Sequence, residues 1–479
     1  MEKMKATFSE SDMAGFLSEI KRFQPPALSL PGRTPVHVVY GGAHLFSAET
    51  SEKLGRLALN SIDRFAPDFA ALAKALWLKG CENLPDFDEY REELEFQLTD
   101  DPERIRKENP DASFAWTIFQ KTIDKLRREP VEDLRIDFED GYGIRTDPEE
   151  DGHAIRAGAE LARAFIEGKL PPFAGFRIKA LSPETGKRAL RTLDLFLSEM
   201  LERTAGSLPA NFAVALPKVR RKEDVGLLAD VLERFEQRNG MERGSIKLEI
   251  IIETAAAIIN EKGGIALREL VESSGGRCAA VHFGAYDYTA GFGISGTHQH
   301  LGHEACNFAR QMIQTALTPL GIRLSDSVTT EMPVPVHRGD ELTRIQTEEN
   351  RQAVFRGWRR HFNNVTRSLI NGFYQSWDLH PAQLVARYAA VYAFFHETRT
   401  IQAERLRGFL DQATRALLTG NQFDDAASAQ GLLNFFLRGL SCGAFSESEI
   451  LRSVNLSPEE LRTGSFFQIM EGRKKRSAP

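Results

Sequence analysis

Cysteine is scarce in this chain. The four residues, Cys81, Cys278, Cys306 and Cys442, are scattered through 479 positions with no CxxC spacing. That fits reduced thiols in the cytosol better than a disulfide framework or a zinc site. Long apolar runs are also missing: none approaches the ~20 residues that a bilayer span requires. Met1-Glu2-Lys3-Met4-Lys5 leads into a polar amphipathic segment rather than the apolar core of a signal peptide, so a soluble cytoplasmic protein is expected. Neither sign of charge dominates, with 61 basic against 67 acidic residues and a formal net charge of -6. No basic cluster with interleaved aromatics occurs, which argues against nucleic-acid binding. The run Arg473-Lys474-Lys475-Arg476 reads as a solvated tail. No solenoid repeat and no low-complexity tract is present.

What is present is enough apolar residue, 42% of the chain, to bury a large core, and a regular alternation of short and long segments. Strand-like runs occur at Val36 to Tyr40, Leu134 to Phe138, Ala174 to Ala180 and Phe212 to Leu216. They continue at Leu248 to Ile252, Ala279 to Phe283, Ile322 to Ser325 and Gly372 to Trp377. Helix-length segments with apolar residues at helical spacing separate most of them, among them Glu184 to Arg203, Glu223 to Arg238, Glu304 to Leu320 and Glu348 to Ile370. Eight strand–helix repeats predict a (β/α)₈ TIM barrel; a doubly wound open sheet is the alternative. The expected organisation is an N-terminal arm over 1–30 and a barrel over 31–397. A helical insertion of about 84–130 interrupts the barrel after the first strand, and a C-terminal helical region covers 398–479.

The segment Leu134-Arg135-Ile136-Asp137-Phe138-Glu139-Asp140-Gly141 carries the chemistry. It reads as a buried strand, yet it holds three carboxylates within four residues. Buried carboxylates are costly unless cations pair with them. Period-2 alternation puts Asp137 and Glu139 on one face, Arg177 and Lys179 together on the third strand, and Glu249, Ile251 and Glu253 together on the fifth. Asp287 follows the sixth strand. Catalytic groups of such barrels lie at the C-terminal strand ends, so these charges are expected to converge. Carboxylates with open positions suit Mg²⁺ or Mn²⁺. A metal held this way can chelate a 2-keto acid and act as a Lewis acid, with Arg177 offering a planar cationic donor. The alternative is an internal salt-bridge network without catalysis.

The chain here resembles the superfamily of citrate lyase β-subunits, malyl-CoA lyases and metal-dependent 2-keto-acid aldolases (the HpcH/HpaI aldolase relatives). Asp137-Phe138-Glu139-Asp140 is similar to its D-L-E-D strand and Phe176-Arg177-Ile178 to its R-V/I-N strand, with Lys179 in place of asparagine. Leu216-Pro217-Lys218 matches its L-P-K strand end. Ile252-Glu253-Thr254-Ala255 and Gly284-Ala285-Tyr286-Asp287-Tyr288 match its two metal-ligand segments, and Leu379-His380-Pro381-Ala382-Gln383 resembles I-H-P-x-Q. The resemblance implies a Mg²⁺-dependent carbon–carbon lyase or aldolase, with Glu253 and Asp287 as metal ligands and Arg177 binding substrate. Glu139 and Asp140 are implied to hold metal-bound water. A CoA-thioester lyase or synthase of the malyl-CoA lyase or malate synthase type is the rival reading, and a non-catalytic ligand-binding barrel is another. The expected partners are a keto acid or acyl-CoA and further copies of the same chain in a homo-oligomer.

The general base stays open between His298, Asp140 and an acid of the C-terminal helices. His298 lies in Thr297-His298-Gln299-His300-Leu301-Gly302-His303, whose spacing is not a zinc signature; exposed loop histidines are the plainer reading. Gly291-Phe292-Gly293-Ile294-Ser295-Gly296 fits GxGxxG by count but does not directly follow a strand, and reads as an active-site loop. Lys218 is a candidate Schiff-base lysine, as in metal-free aldolases.

Overall fold

The computed structural model describes residues 9–23, 33–339, 341–419 and 426–477. Eight strands form a closed, all-parallel barrel in chain order. They are β1 (His37–Gly42), β2 (Asp133–Asp137), β3 (Phe173–Arg177), β4 (Phe212–Leu216), β5 (Lys247–Ile252), β6 (Cys278–Phe283), β7 (Arg323–Val328) and β8 (Gln375–Asp378). β1 pairs with both β2 and β8, which closes the ring. The predicted (β/α)₈ barrel is therefore the fold, with helical segments between β1 and β2 and after β8. β8 begins later than expected because Gly372, at φ +82°, ends the preceding helix.

The helices follow their sequence signals. Thr343 and Gln346 form a capping box that opens Arg344–Ile370, and Pro148 occupies the first turn of Asp147–Ile166. Between β1 and β2, Asp88–Asp100 and Pro102–Glu108 are largely exposed. Pro110–Arg128 instead buries Ala112, Ala115, Ile118, Phe119 and Leu126. After β8 a single helix of 37 residues, Gln383–Thr419, runs across position 397. Ala426–Ser441 follows it. Of the N-terminal arm, residues 1–8 and 24–30 lie outside the described residues. Among the described residues no helix is long and apolar enough to cross a membrane.

The wall admits little change at β3. A Cβ on Gly175 would lie 1.9 Å from the Ala213 carbonyl oxygen on β4, too close for any side chain. Gly175→Ala is expected to destabilise the protein by about 3 kcal/mol, the upper end for overpacking, because the obstacle is backbone and cannot rotate away. An unchanged denaturant midpoint in that variant would contradict the close approach.

Inside the barrel, the lower layer is ionic. Arg135 donates two hydrogen bonds to Glu249 at 2.9 and 2.8 Å. Arg323 donates to Glu249 at 3.1 Å and Gln375 to Asp133 at 2.9 Å. Burial works against the Glu249 charge, but Arg135 and His282 hold its carboxyl well below the usual range. This network is neutralised within itself and forms the floor beneath the upper strand ends.

Candidate active site

Above that floor, register dictates the next contact. Asp137 and Arg177 are direct neighbours across β2 and β3. Arg177 grips Asp137 with two hydrogen bonds, Nε to Oδ1 at 2.7 Å and Nη2 to Oδ2 at 2.6 Å. Its remaining nitrogen lies 3.1 Å from Glu139 and 3.5 Å from Asp140. Asp137 also accepts from the backbone N–H groups of Glu139 (2.9 Å) and Gly141 (2.7 Å), so it fixes the turn that presents the next two acids. The guanidinium stacks 4.9 Å above the Tyr40 ring, and Tyr40 in turn stacks on Trp377 at 4.3 Å. Burial opposes the charge on Arg177, yet Asp137 and Glu139 hold its pKa above the ordinary arginine range.

Glu253 follows β5, and Asp287 lies just after β6. The two carboxyls perturb each other's protonation and both meet Lys218, Glu253 through its backbone N–H and Asp287 through its ammonium at 2.9 Å. Gly284 permits this: a Cβ there would fall 2.6 Å from the Glu253 Cβ and 2.9 Å from its Oε2. Glu253 is 5% exposed, and burial, reinforced by the adjacent Asp287, pushes its pKa up to about 8. Asp287 is half-exposed; burial raises its pKa, but Lys218 and Glu253 outweigh that and lower it. Glu139 is shifted upward by burial, with Arg177 opposing.

Lys218 ties these acids together. Its backbone, at φ +53°, is in the left-handed region that a residue with a Cβ rarely adopts. In that conformation its N–H donates to Glu253 Oε1. Its ammonium lies 2.9 Å from Glu139, 2.9 Å from Asp287 and 3.4 Å from Asp140. Burial disfavours that charge, but the surrounding carboxylates raise the lysine pKa well above its usual value. A Schiff-base lysine must shed its proton to attack a carbonyl, and this environment holds the proton on.

Arg177, Glu139, Asp140, Glu253 and Asp287 are thus brought together at the C-terminal rim. His298 is not: it ends a short 3₁₀ turn, Gly296–His298, is exposed, and has no hydrogen bond or ion pair to the cluster. Asp140 is largely exposed at the mouth. Gln383 is occupied structurally, accepting from Leu379 N–H at 2.8 Å and donating to the Thr329 carbonyl at 2.8 Å, so that motif ties β8 to the segment after β7. Lys179 donates to the Phe138 carbonyl at 2.6 Å and meets Glu150 at 2.8 Å. Three contributors escaped the sequence reading: Asp137 as the anchor of Arg177, Lys218 as a counter-cation, and Tyr40 with Trp377 as the platform. The only sequence signal for the platform is that Tyr40 lies two residues from Val38 on an inward face.

Among the described residues, no group of three or more His, Cys, Asp and Glu side chains converges as a metal cage. Two adjacent carboxylates, one of them deeply buried, fit Mg²⁺ better than a closed site would, since Mg²⁺ keeps several waters or substrate oxygens. The donor set fits the ion.

The chain is similar to several solved structures at low identity. A citrate lyase from Burkholderia xenovorans LB400 is 19% identical, with a TM-score of 0.47, covering 70% of this chain and 91% of that one. A Haloferax volcanii malate synthase magnesium/glyoxylate complex is 17% identical, with a TM-score of 0.42, covering 54% and 66%. The Mycobacterium tuberculosis protein CitE in complex with magnesium and acetoacetate is 18% identical, with a TM-score of 0.35, covering 57% and 87%. No curated protein sequence matches. One family covers nearly the whole chain, residues 24–469, and the protein belongs to it: "Domain of unknown function (DUF6986)".

Proposed function

We propose that this protein is a Mg²⁺- or Mn²⁺-dependent carbon–carbon lyase or aldolase that acts on a 2-keto acid or a related hydroxy acid. The observation that carries the reading is the convergence of Glu253 and Asp287 on Lys218, whose ammonium also reaches Glu139 and Asp140 beside Arg177 at the C-terminal strand ends. Glu253 and Asp287 would hold the ion, which supplies Lewis acidity to the substrate carbonyl when bound. Arg177 is oriented by its two bonds to Asp137. Its third nitrogen, shared with Glu139 and Asp140, is the one positioned to meet a substrate carboxylate or a developing oxyanion. Lys218 balances the acids and keeps the Glu253 carboxyl oriented through its own backbone N–H. Glu139, partly buried and with its carboxyl shifted upward by burial against the pull of Arg177, would be the group that takes up or releases a proton in the site. Asp140, at the open edge, is placed to orient water.

The test is a metal-plus-substrate panel. Full-length protein with Mg²⁺ is offered hydroxy-keto acids and, separately, malyl-CoA-type thioesters, with release of aldehyde, keto acid or free thiol followed. Turnover of a hydroxy-keto acid that stops on chelation and returns with Mg²⁺ is expected. Turnover of thioesters alone would move the assignment to the CoA-dependent class. Stabilisation by Mg²⁺ with pyruvate or glyoxylate, but no turnover of any compound, would make the barrel a binding module.

A further inference from the structure

The opposite end of the barrel holds a second feature that the proposed chemistry does not use. Thr34 and Val36 precede β1 and Tyr374 immediately precedes β8, so all three mark the N-terminal face. There a cavity of about 800 Å³ opens between the strand starts and the C-terminal helices. Its walls include Val391, Phe395, Leu437 and Leu440, and the first two are fully buried. That volume falls within the usual range for small-molecule sites, ~300–1,000 Å³.

Three arginines reach this cavity, and two of them are already neutralised. Arg33 meets Glu129 and Glu132, and Arg462 meets Glu447 at 3.4 Å. Arg438 is different. Its guanidinium stacks on the Tyr374 ring, 3.9 Å from the centroid, and its side chain makes no hydrogen bond or ion pair among the described residues. Burial lowers its pKa, and no carboxylate offsets that. An aromatic face compensates a desolvated cation only in part, and an arginine carries five N–H donors in a planar fork. The wall therefore combines one uncompensated cation with a mainly apolar lining. The N-terminal face of such barrels is not where their catalysis occurs.

We propose that this cavity is a second small-molecule site that takes an amphipathic monocarboxylate, its carboxylate paired with Arg438 and its hydrocarbon body against Val391, Phe395, Leu437 and Leu440. A single negative charge matches the single unpaired arginine, and a fork of N–H donors matches a carboxylate edge-on. A phosphate dianion would leave charge unmatched against apolar walls. The inference is independent of the chemistry assigned to the carboxylate cluster.

Octanoate and octan-1-ol are the probes, titrated by calorimetry into the full chain. Octanoate is expected to bind at least about tenfold more tightly than the alcohol, a preference that one charge-assisted pair can supply. Arg438→Met keeps the aliphatic packing against Tyr374 and is expected to bring the two ligands within about twofold of each other. Arg438→Lys, which retains the charge, is expected to keep part of the preference and serves if the methionine variant folds poorly. Glu253→Gln is expected to bind octanoate as the parent does. Four results would overturn the proposal: no binding of octanoate up to about 10 mM, equal binding of the alcohol, an undiminished preference in Arg438→Met, or loss of octanoate binding in Glu253→Gln, which would place the ligand at the other end of the barrel.

Discussion

Glu253→Gln is expected to lower metal-dependent turnover at least a thousandfold, roughly the scale of losing a group that stabilises transition-state charge, while leaving the fold intact. The geometry that makes Glu253 a metal ligand also preserves the fold in the variant. With its pKa near 8, the buried Glu253 carboxyl of the metal-free protein already carries a proton at neutrality. A neutral amide reproduces it: the amide oxygen still accepts from Lys218 N–H, and the amide N–H faces the neighbouring Asp287. Nothing buried loses a partner, so the unfolding midpoint should hold or rise slightly.

A proton that must leave before an ion can enter also sets the pH dependence. A carboxyl raised above its ordinary range is protonated below its shifted pKa, so metal and proton compete there. Mn²⁺ affinity in the parent should therefore weaken by up to about tenfold per pH unit as pH falls below about 8, and flatten above it. Glu253→Gln should show weak binding without that slope. A parent whose Mn²⁺ affinity is flat between pH 6 and 8 would remove Glu253 from the ligand set, and so would a variant with full turnover.

The eight strands were legible because each carries a local signature that tertiary contacts reinforce: a short apolar or alternating run closed by glycine, proline or charge. Strand-end chemistry was legible for the same reason, since period 2 fixes which side chains share a face. What escaped depends on contacts between distant strands or on backbone angles. Nothing in Leu216-Pro217-Lys218 announces that Lys218 takes φ +53° and turns its N–H to an acid 35 positions away. Arg135, His282 and Arg323 are unremarkable singly, and only closure of the ring gathers them around Glu249. Tertiary contacts also carry Gln383–Thr419 across the expected boundary at 397/398. Thr398, Thr400 and Ile401 have weak helix propensity, yet Gln383–Thr419 continues through them because buried Phe395, Ala403 and Leu406 hold both sides of the segment in the core.

Arg177 allows the largest separation between a structural and a chemical role. Arg177 and Asp137 are 3% and 1% exposed and joined by two hydrogen bonds. Arg177→Met should therefore destabilise the protein by about 3–5 kcal/mol, chiefly because it leaves the Asp137 carboxylate buried without its cation. Turnover should fall at least about a hundredfold as well, but a destabilised variant cannot show why. Replacing both partners, Arg177→Met with Asp137→Asn, removes the stranded charge and keeps an amide oxygen to accept from the turn that presents Glu139 and Asp140. The double variant should recover part of the lost stability and none of the lost turnover. Arg177→Lys should fall between, keeping a charge but losing the fork that engages Asp137 with two nitrogens and leaves a third for substrate. If turnover in the double variant returned along with stability, Arg177 would be a strut for the Asp137 turn, and the substrate carboxylate would need another partner at the rim.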